Sequence, residues 1–113
     1  MAKINDVQVI EKNTGEKIQW EQDGYRLSFD DDALSVKVTK YQEDERRVLD
    51  ICASRTGDLM LGVQPGGRYV AQIEIPAAEY EETVTHKGDE VEITRTKKDL
   101  DMAEVTLILW SIE

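Results

Sequence analysis

An all-β domain is the fold class this sequence predicts: a mostly antiparallel sandwich or partly closed barrel of about nine or ten short strands. Three observations predict it. Apolar and polar residues alternate with period two along most of the chain. Turn chemistry recurs about every 8–12 residues, and no segment sustains a helical period. A chain of 113 residues has the length of one domain with one modest core, so residues 1–113 read as a single β domain.

The elements follow in order. Val7 and Val9 mark a first strand, ended by Asn13-Thr14-Gly15. Residues 17–40 read as a three-stranded meander. With Asp23-Gly24 at the centre of its first turn, Trp20 faces Leu27 and Ile18 faces Phe29. With Asp31-Asp32 at the centre of the second, Phe29 faces Leu34, Leu27 faces Val36 and Tyr25 faces Val38. Side chains alternate across a strand, so all these apolar pairs share one side of the sheet. The other side carries Glu21 opposite Arg26 and Ser28 opposite Ser35, as a wet face should.

Tyr41–Arg47 is polar throughout and reads as a loop or the one short helical turn of the fold, with Glu43 spaced to meet Arg47. Val48–Ser54 and Asp58–Val63 are strands around Thr56-Gly57, the first apolar on both faces. Pro65-Gly66-Gly67 is a loop, and Tyr69–Ile75 is a strand halted by Pro76, which cannot donate to a ladder. Tyr80–Lys97 is a hairpin about Lys87-Gly88, a register that sets Val84 opposite Val91, Glu82 opposite Ile93 and Tyr80 opposite Arg95. Ala103–Ile112 is the longest and most apolar strand.

Composition narrows the function classes. The net charge of −10 argues against nucleic acid, whose binding is driven by Lys and Arg. Acids exceed bases by 12 to 9 in residues 1–56 and by 12 to 5 in residues 57–113. Seven acids crowd Glu74–Glu92 with Lys87 alone against them; charge of that kind keeps a small domain dispersed and also offers a surface to a basic partner or a metal. No run approaches the roughly 20 apolar residues of a membrane span. The N-terminal stretch has no signal-peptide h-region, and the single Cys52 cannot form an intrachain disulfide, so a reducing, cytoplasmic setting is expected.

Chemical motifs are sparse. Asp30-Asp31-Asp32 supplies oxygen ligands of the kind calcium takes, but lacks the spaced pattern and bidentate glutamate of an EF-hand loop. Asp also tolerates tight turns, which explains the triplet without a metal. Glu82 lies on an apolar face diagonal to Arg95, with Tyr80 beside it, so these three form a candidate ion pair or pocket. Buried, such a pair would be costly to break; half-exposed at a sheet edge, it would contribute at most about 1 kcal/mol. His86 is the only histidine, and a catalytic pairing with Cys52 would need the two to meet in space. Pro65-Gly66-Gly67-Arg68 lacks the glycine fingerprint of a phosphate cradle. No catalytic constellation stands out, and no cofactor is implied.

The C-terminal strand carries the remaining signal. Val105, Leu107 and Leu109 alternate with Ile108, Trp110 and Ile112, so both faces are apolar. A sandwich strand normally shows water one of its faces. Either the second face is covered within the domain, as the interior of a closed barrel or under a loop or helix, or Ile108, Trp110 and Ile112 form a candidate interface, Trp being enriched at interface hot spots. The leading expectation is a non-catalytic structural or protein-interaction module that self-associates or docks in a larger assembly. The alternative is a β-sandwich that binds a carbohydrate or small ligand through Trp20, Tyr25, Tyr69 or Trp110. A hydrolase is the weakest reading, since no pair of carboxylates is singled out.

Overall fold

The computed structural model describes residues 4–54, 56–62 and 67–112. The described residues form ten strands: β1 (Gln8–Glu11), β2 (Trp20–Asp23), β3 (Arg26–Phe29), β4 (Leu34–Lys37), β5 (Arg47–Ala53), β6 (Leu59–Leu61), β7 (Arg68–Ile75), β8 (Tyr80–Lys87), β9 (Glu90–Lys97) and β10 (Thr106–Leu109). They make a five-stranded sheet ordered β1-β10-β7-β5-β6, a three-stranded sheet β2-β3-β4 and a separate hairpin β8-β9. Every strand pairing is antiparallel except β1 with β10. The all-β expectation holds. Two single 3-10 turns stand where at most one helical turn was expected: Val38–Tyr41, just ahead of the expected 41–47, and Met102–Glu104. The second is capped by Asp101, whose carboxylate accepts from the Ala103 N–H at 3.0 Å. Of the expected loop Pro65-Gly66-Gly67, Pro65 and Gly66 lie outside the described residues.

The turn at Asp31-Asp32 closes the β3-β4 hairpin in the expected register, with Leu27 opposite Val36 and Phe29 opposite Leu34. Asp31 and Asp32 both have positive φ, at 52° and 67°, which is the type I′ pattern that matches strand twist. Asp30 has φ 53° as well. The Ala33 N–H donates to the Asp30 carbonyl at 3.1 Å, and the Asp31 N–H to the Gln19 side chain at 2.7 Å. L-residues pay for the left-handed region, and glycine does not. Asp32→Gly is therefore expected to stabilise the protein by about 0.5–1 kcal/mol, net of the unfolded-state entropy glycine adds. A lower urea midpoint for this variant would contradict the turn geometry.

Two other hairpins depart from the expected register in the same way. Trp20 faces Phe29 and Gln22 faces Leu27, so the β2-β3 turn is Gly24-Tyr25 rather than Asp23-Gly24. Val84 faces Ile93 and Glu82 faces Arg95, so the β8-β9 turn is Gly88-Asp89 rather than Lys87-Gly88. In both, glycine occupies the first central position with φ near +60° (61° and 62°) and the second central residue has negative φ. That is the type II′ arrangement, not the Asp-Gly type I′ arrangement. Each register moves by two residues, so the assignment of faces survives while the partners change.

The two larger sheets share one apolar cluster. Leu27, Phe29 and Val36 of the three-stranded sheet, with Ile18, join Leu49, Ile51, Ala71, Ile73, Leu107 and Leu109 of the five-stranded sheet. Leu107, Ile73 and Leu49 lie side by side across β10, β7 and β5. Val105, Met102 and Leu100 extend the cluster. No polar or charged residue among those described is buried. The N-terminal segment is tied across by Gln22, whose side chain accepts from the Val7 N–H at 2.9 Å and donates to the Asn5 and Gly24 carbonyls at 2.8 and 3.0 Å.

Candidate functional site

The hairpin β8-β9 is bare. All sixteen of its strand residues are exposed, and among the described residues its two strands pair with each other and with no other strand. The molecule measures 66 × 32 × 23 Å with a radius of gyration of 18.1 Å, against about 13 Å for a compact chain of this length. The hairpin is an arm. Its root is held by the 41–47 loop: the Ala78 N–H donates to the Glu43 carbonyl at 2.8 Å, and the Tyr80 hydroxyl donates to the Asp44 carboxylate at 2.5 Å. That bond raises the Tyr80 phenol above its ordinary value, because the acceptor favours the protonated form. The same loop brings Glu43 and Arg47 together at 2.8 Å, as their spacing predicts, without a helix between them.

Alternation divides the arm into two unlike sides. One carries Tyr80, Glu82, Val84 and His86 opposite Lys97, Arg95, Ile93 and Val91. The other carries Glu81, Thr83, Thr85 and Lys87 opposite Thr96, Thr94, Glu92 and Glu90. Val84, Val91 and Ile93 form a ridge on the first side, with exposures of 52%, 58% and 61%. Glu82 and Arg95 sit directly across from one another rather than diagonally, 3.9 Å apart and well exposed. The Arg95 guanidinium lies 4.5 Å from the centre of the Tyr80 ring. These three residues meet, but in water on the surface of the arm rather than in a pocket. An exposed pair of this kind contributes little to stability.

A second uncovered apolar surface lies on the outer face of the five-stranded sheet. Ile10, Ile108, Gln72 and Asp50 lie side by side across β1, β10, β7 and β5. Trp110 follows on this face: its backbone N–H donates to the Val70 carbonyl and its indole N–H to the Gln72 side chain. The Tyr69 ring lies 6.2 Å from the Trp110 ring, tilted by 34°. Tyr69, Met60 and Ile10 are exposed, Trp110 is half-buried, and Ile108 is buried but outside the core cluster. Ile112 leaves this row. The strand ends at Leu109, Ser111 bridges Lys17, and Ile112 packs against the core cluster instead. Of the three residues the sequence singles out, Ile108 and Trp110 stay together and Ile112 does not.

Tyr69, Ile10 and Met60 were invisible as partners of Trp110, because their strands are adjacent only through long-range pairing. The arm left a clearer trace. Its second side is polar from end to end, and Glu82, Arg95 and Lys97 flank its apolar side, a pattern that suits no core strand.

The other candidates are dispersed. Among the described residues no group of three or more His, Cys, Asp or Glu side chains is placed to hold a metal ion, Asp30, Asp31 and Asp32 included. Cys52 is buried in β5, while His86 is exposed near the turn end of the arm. Trp20 and Tyr25 pack against the core. An open depression of about 390 Å³ lies by Ile18, Leu59, Val70 and Ile112, and none of the four aromatic residues Trp20, Tyr25, Tyr69 or Trp110 lines it. Its two cations are engaged, Lys17 by the Asn13 and Gly15 carbonyls and Arg68 by the Ile112 carbonyl. Among the described residues no helix is long and apolar enough to cross a membrane.

Fold and surfaces together define an all-β protein with a projecting two-stranded arm and an uncovered apolar sheet face. Comparison with protein-family models, with curated proteins and with solved structures finds no match.

Proposed function

We propose that this chain is a non-catalytic structural module that self-associates or docks in a larger assembly. The observation that carries the reading is the arm. A lone two-stranded hairpin is marginally stable in water, and this one holds three β-branched apolar side chains in solvent. Both its stability and its exposed ridge are accounted for if a protein surface covers it. The outer sheet face, with Ile10, Met60, Tyr69 and Trp110, supports the same reading from a second element. The partner is protein rather than nucleic acid, given a net charge of −10. The setting is cytoplasmic and reducing, in keeping with a single cysteine that lies buried.

The test is mass in solution by light scattering on a sizing column over a range of concentrations. Self-association predicts a mass that is a multiple of the 12.9 kDa chain. A single-chain mass at every concentration would count against self-association.

One observation favours a second reading, a carbohydrate-binding face. Tyr69 and Trp110 stand as neighbouring rings with Gln72 and Asp50 beside them, and sugars use both apolar stacking and polar contacts. Saturable quenching or enhancement of tryptophan fluorescence by an oligosaccharide, lost in Tyr69→Ala, is the result this reading predicts. A flat response across a glycan panel would dismiss it.

A further inference from the structure

We infer that the arm of one copy docks across the outer face of the five-stranded sheet of a second copy, head to tail. This rests on the self-association reading above and names its two surfaces. Every strand residue of the arm is exposed, so the chain's own sheets do not cover it. The occupant therefore comes from outside the chain, and a second copy offers what the arm lacks.

Length is the first match. Strands of eight residues reach about 26 Å at roughly 3.3 Å per residue. Five strands at about 4.8 Å spacing are about 24 Å wide. An arm laid across the strands, as in orthogonal sheet packing, meets the whole width of the sheet.

Charge is the second. The apolar side of the arm carries Arg95 and Lys97 against Glu82 alone, whereas its other side carries Glu81, Glu90 and Glu92 against Lys87. In a strongly acidic chain, the ridge of Val84, Val91 and Ile93 thus lies on the one side of the arm with a positive excess. The outer sheet face presents the carboxylates of Asp50 and Glu74 beside its apolar residues, with Arg46 paired to Glu74. Docking the ridge downward places Arg95 and Lys97 near those carboxylates and leaves the three glutamates in water. Pairing arm with arm would bring two positive ridges together. The arm and the sheet face are therefore complementary to each other rather than to themselves, which makes the contact heterologous. Such contacts close into rings or continue as filaments.

Three samples test the inference: the wild-type chain, an arm variant (Val91→Thr with Ile93→Thr) and a face variant (Met60→Thr with Tyr69→Thr). All four positions are exposed, and circular dichroism confirms that each variant folds. The wild type is expected to assemble. Each variant alone should fall to the single-chain mass, and an equimolar mixture should form a dimer of twice that mass and nothing larger. The mixture contains one intact arm and one intact face, which is enough for a single contact. A monomeric wild type would overturn the self-association reading and this inference with it. An assembling wild type matched by an equally assembling arm variant would overturn the docked arm alone. A mixture that stays monomeric while the wild type assembles would overturn the head-to-tail pairing.

Discussion

Phe29→Ala is expected to cost about 3–5 kcal/mol, the range for truncating a buried aromatic side chain. Phe29 is fully buried at the centre of the three-stranded sheet, with Trp20 on one side and Leu34 on the other. It belongs to the cluster that joins this sheet to the five-stranded one. Removing the ring leaves a cavity between two sheets whose strands are held in register by their ladders, so the walls collapse only in part. Domains of this size have a total stability of about 5–15 kcal/mol, and the variant should stand near the unfolding threshold at 37 °C. Phe29→Leu keeps most of the volume and should cost less. Ile93→Ala, on the exposed arm, supplies the contrast: at concentrations low enough to keep the chain a single copy it should stay within about 0.5 kcal/mol. Urea unfolding followed by circular dichroism measures all three. A Phe29→Ala cost below that of Ile93→Ala would contradict the placement of the core.

Gln22→Ala should cost about 2–3 kcal/mol, a large effect for a residue in a strand of mixed burial. Gln22 faces Leu27 in the β2-β3 ladder, yet its amide serves the N-terminal segment, accepting from Val7 and donating to Asn5 and Gly24. Val7 is buried, so its N–H would lose its partner where water has poor access. A polar group stranded in that way costs roughly 1–3 kcal/mol. The loss should also loosen β1, which follows Val7 directly and is the outermost strand beside β10. Hydrogen exchange at the Val7 amide is the sharper measurement, and its protection should fall more than that of Leu27. Gln22→Glu keeps an acceptor for Val7 but removes the donor to Asn5 and Gly24, so its effect should be intermediate. Equal protection of Val7 in the wild type and Gln22→Ala would show that the bond contributes nothing.

Much of this fold is legible in the chain. The Asp31-Asp32 turn was readable because two consecutive residues that tolerate positive φ stand midway between alternating runs. The turns at Gly24 and Gly88 were readable as turns but not in their register, since a glycine serves either central position of a two-residue loop. Period two made that error harmless for the faces: a shift of two residues returns every side chain to its own side. The candidate site was half legible. Trp110 and Ile108 stood out by their apolar alternation, and Glu82, Arg95 and Tyr80 stood out as charge on an apolar face. Ile112 misled, because alternation was extended past Leu109 to a residue that the Lys17–Ser111 bridge turns toward the core.

The class of fold, the place of most strands and the apolar side of each strand are local properties, because they follow from neighbours within a few residues. Tertiary structure alone decided that β1 runs parallel to β10, that β7 lies between β10 and β5, and that Tyr69 and Trp110 become neighbours. It also decided that one hairpin among several stands free of any sheet. Alternation tells a strand which side to bury but not against what, and partners distant in sequence are chosen by how the whole set of apolar faces packs together. After that packing, the ridge of Val84, Val91 and Ile93 and the outer face of the five-stranded sheet are the apolar surfaces left without a cover.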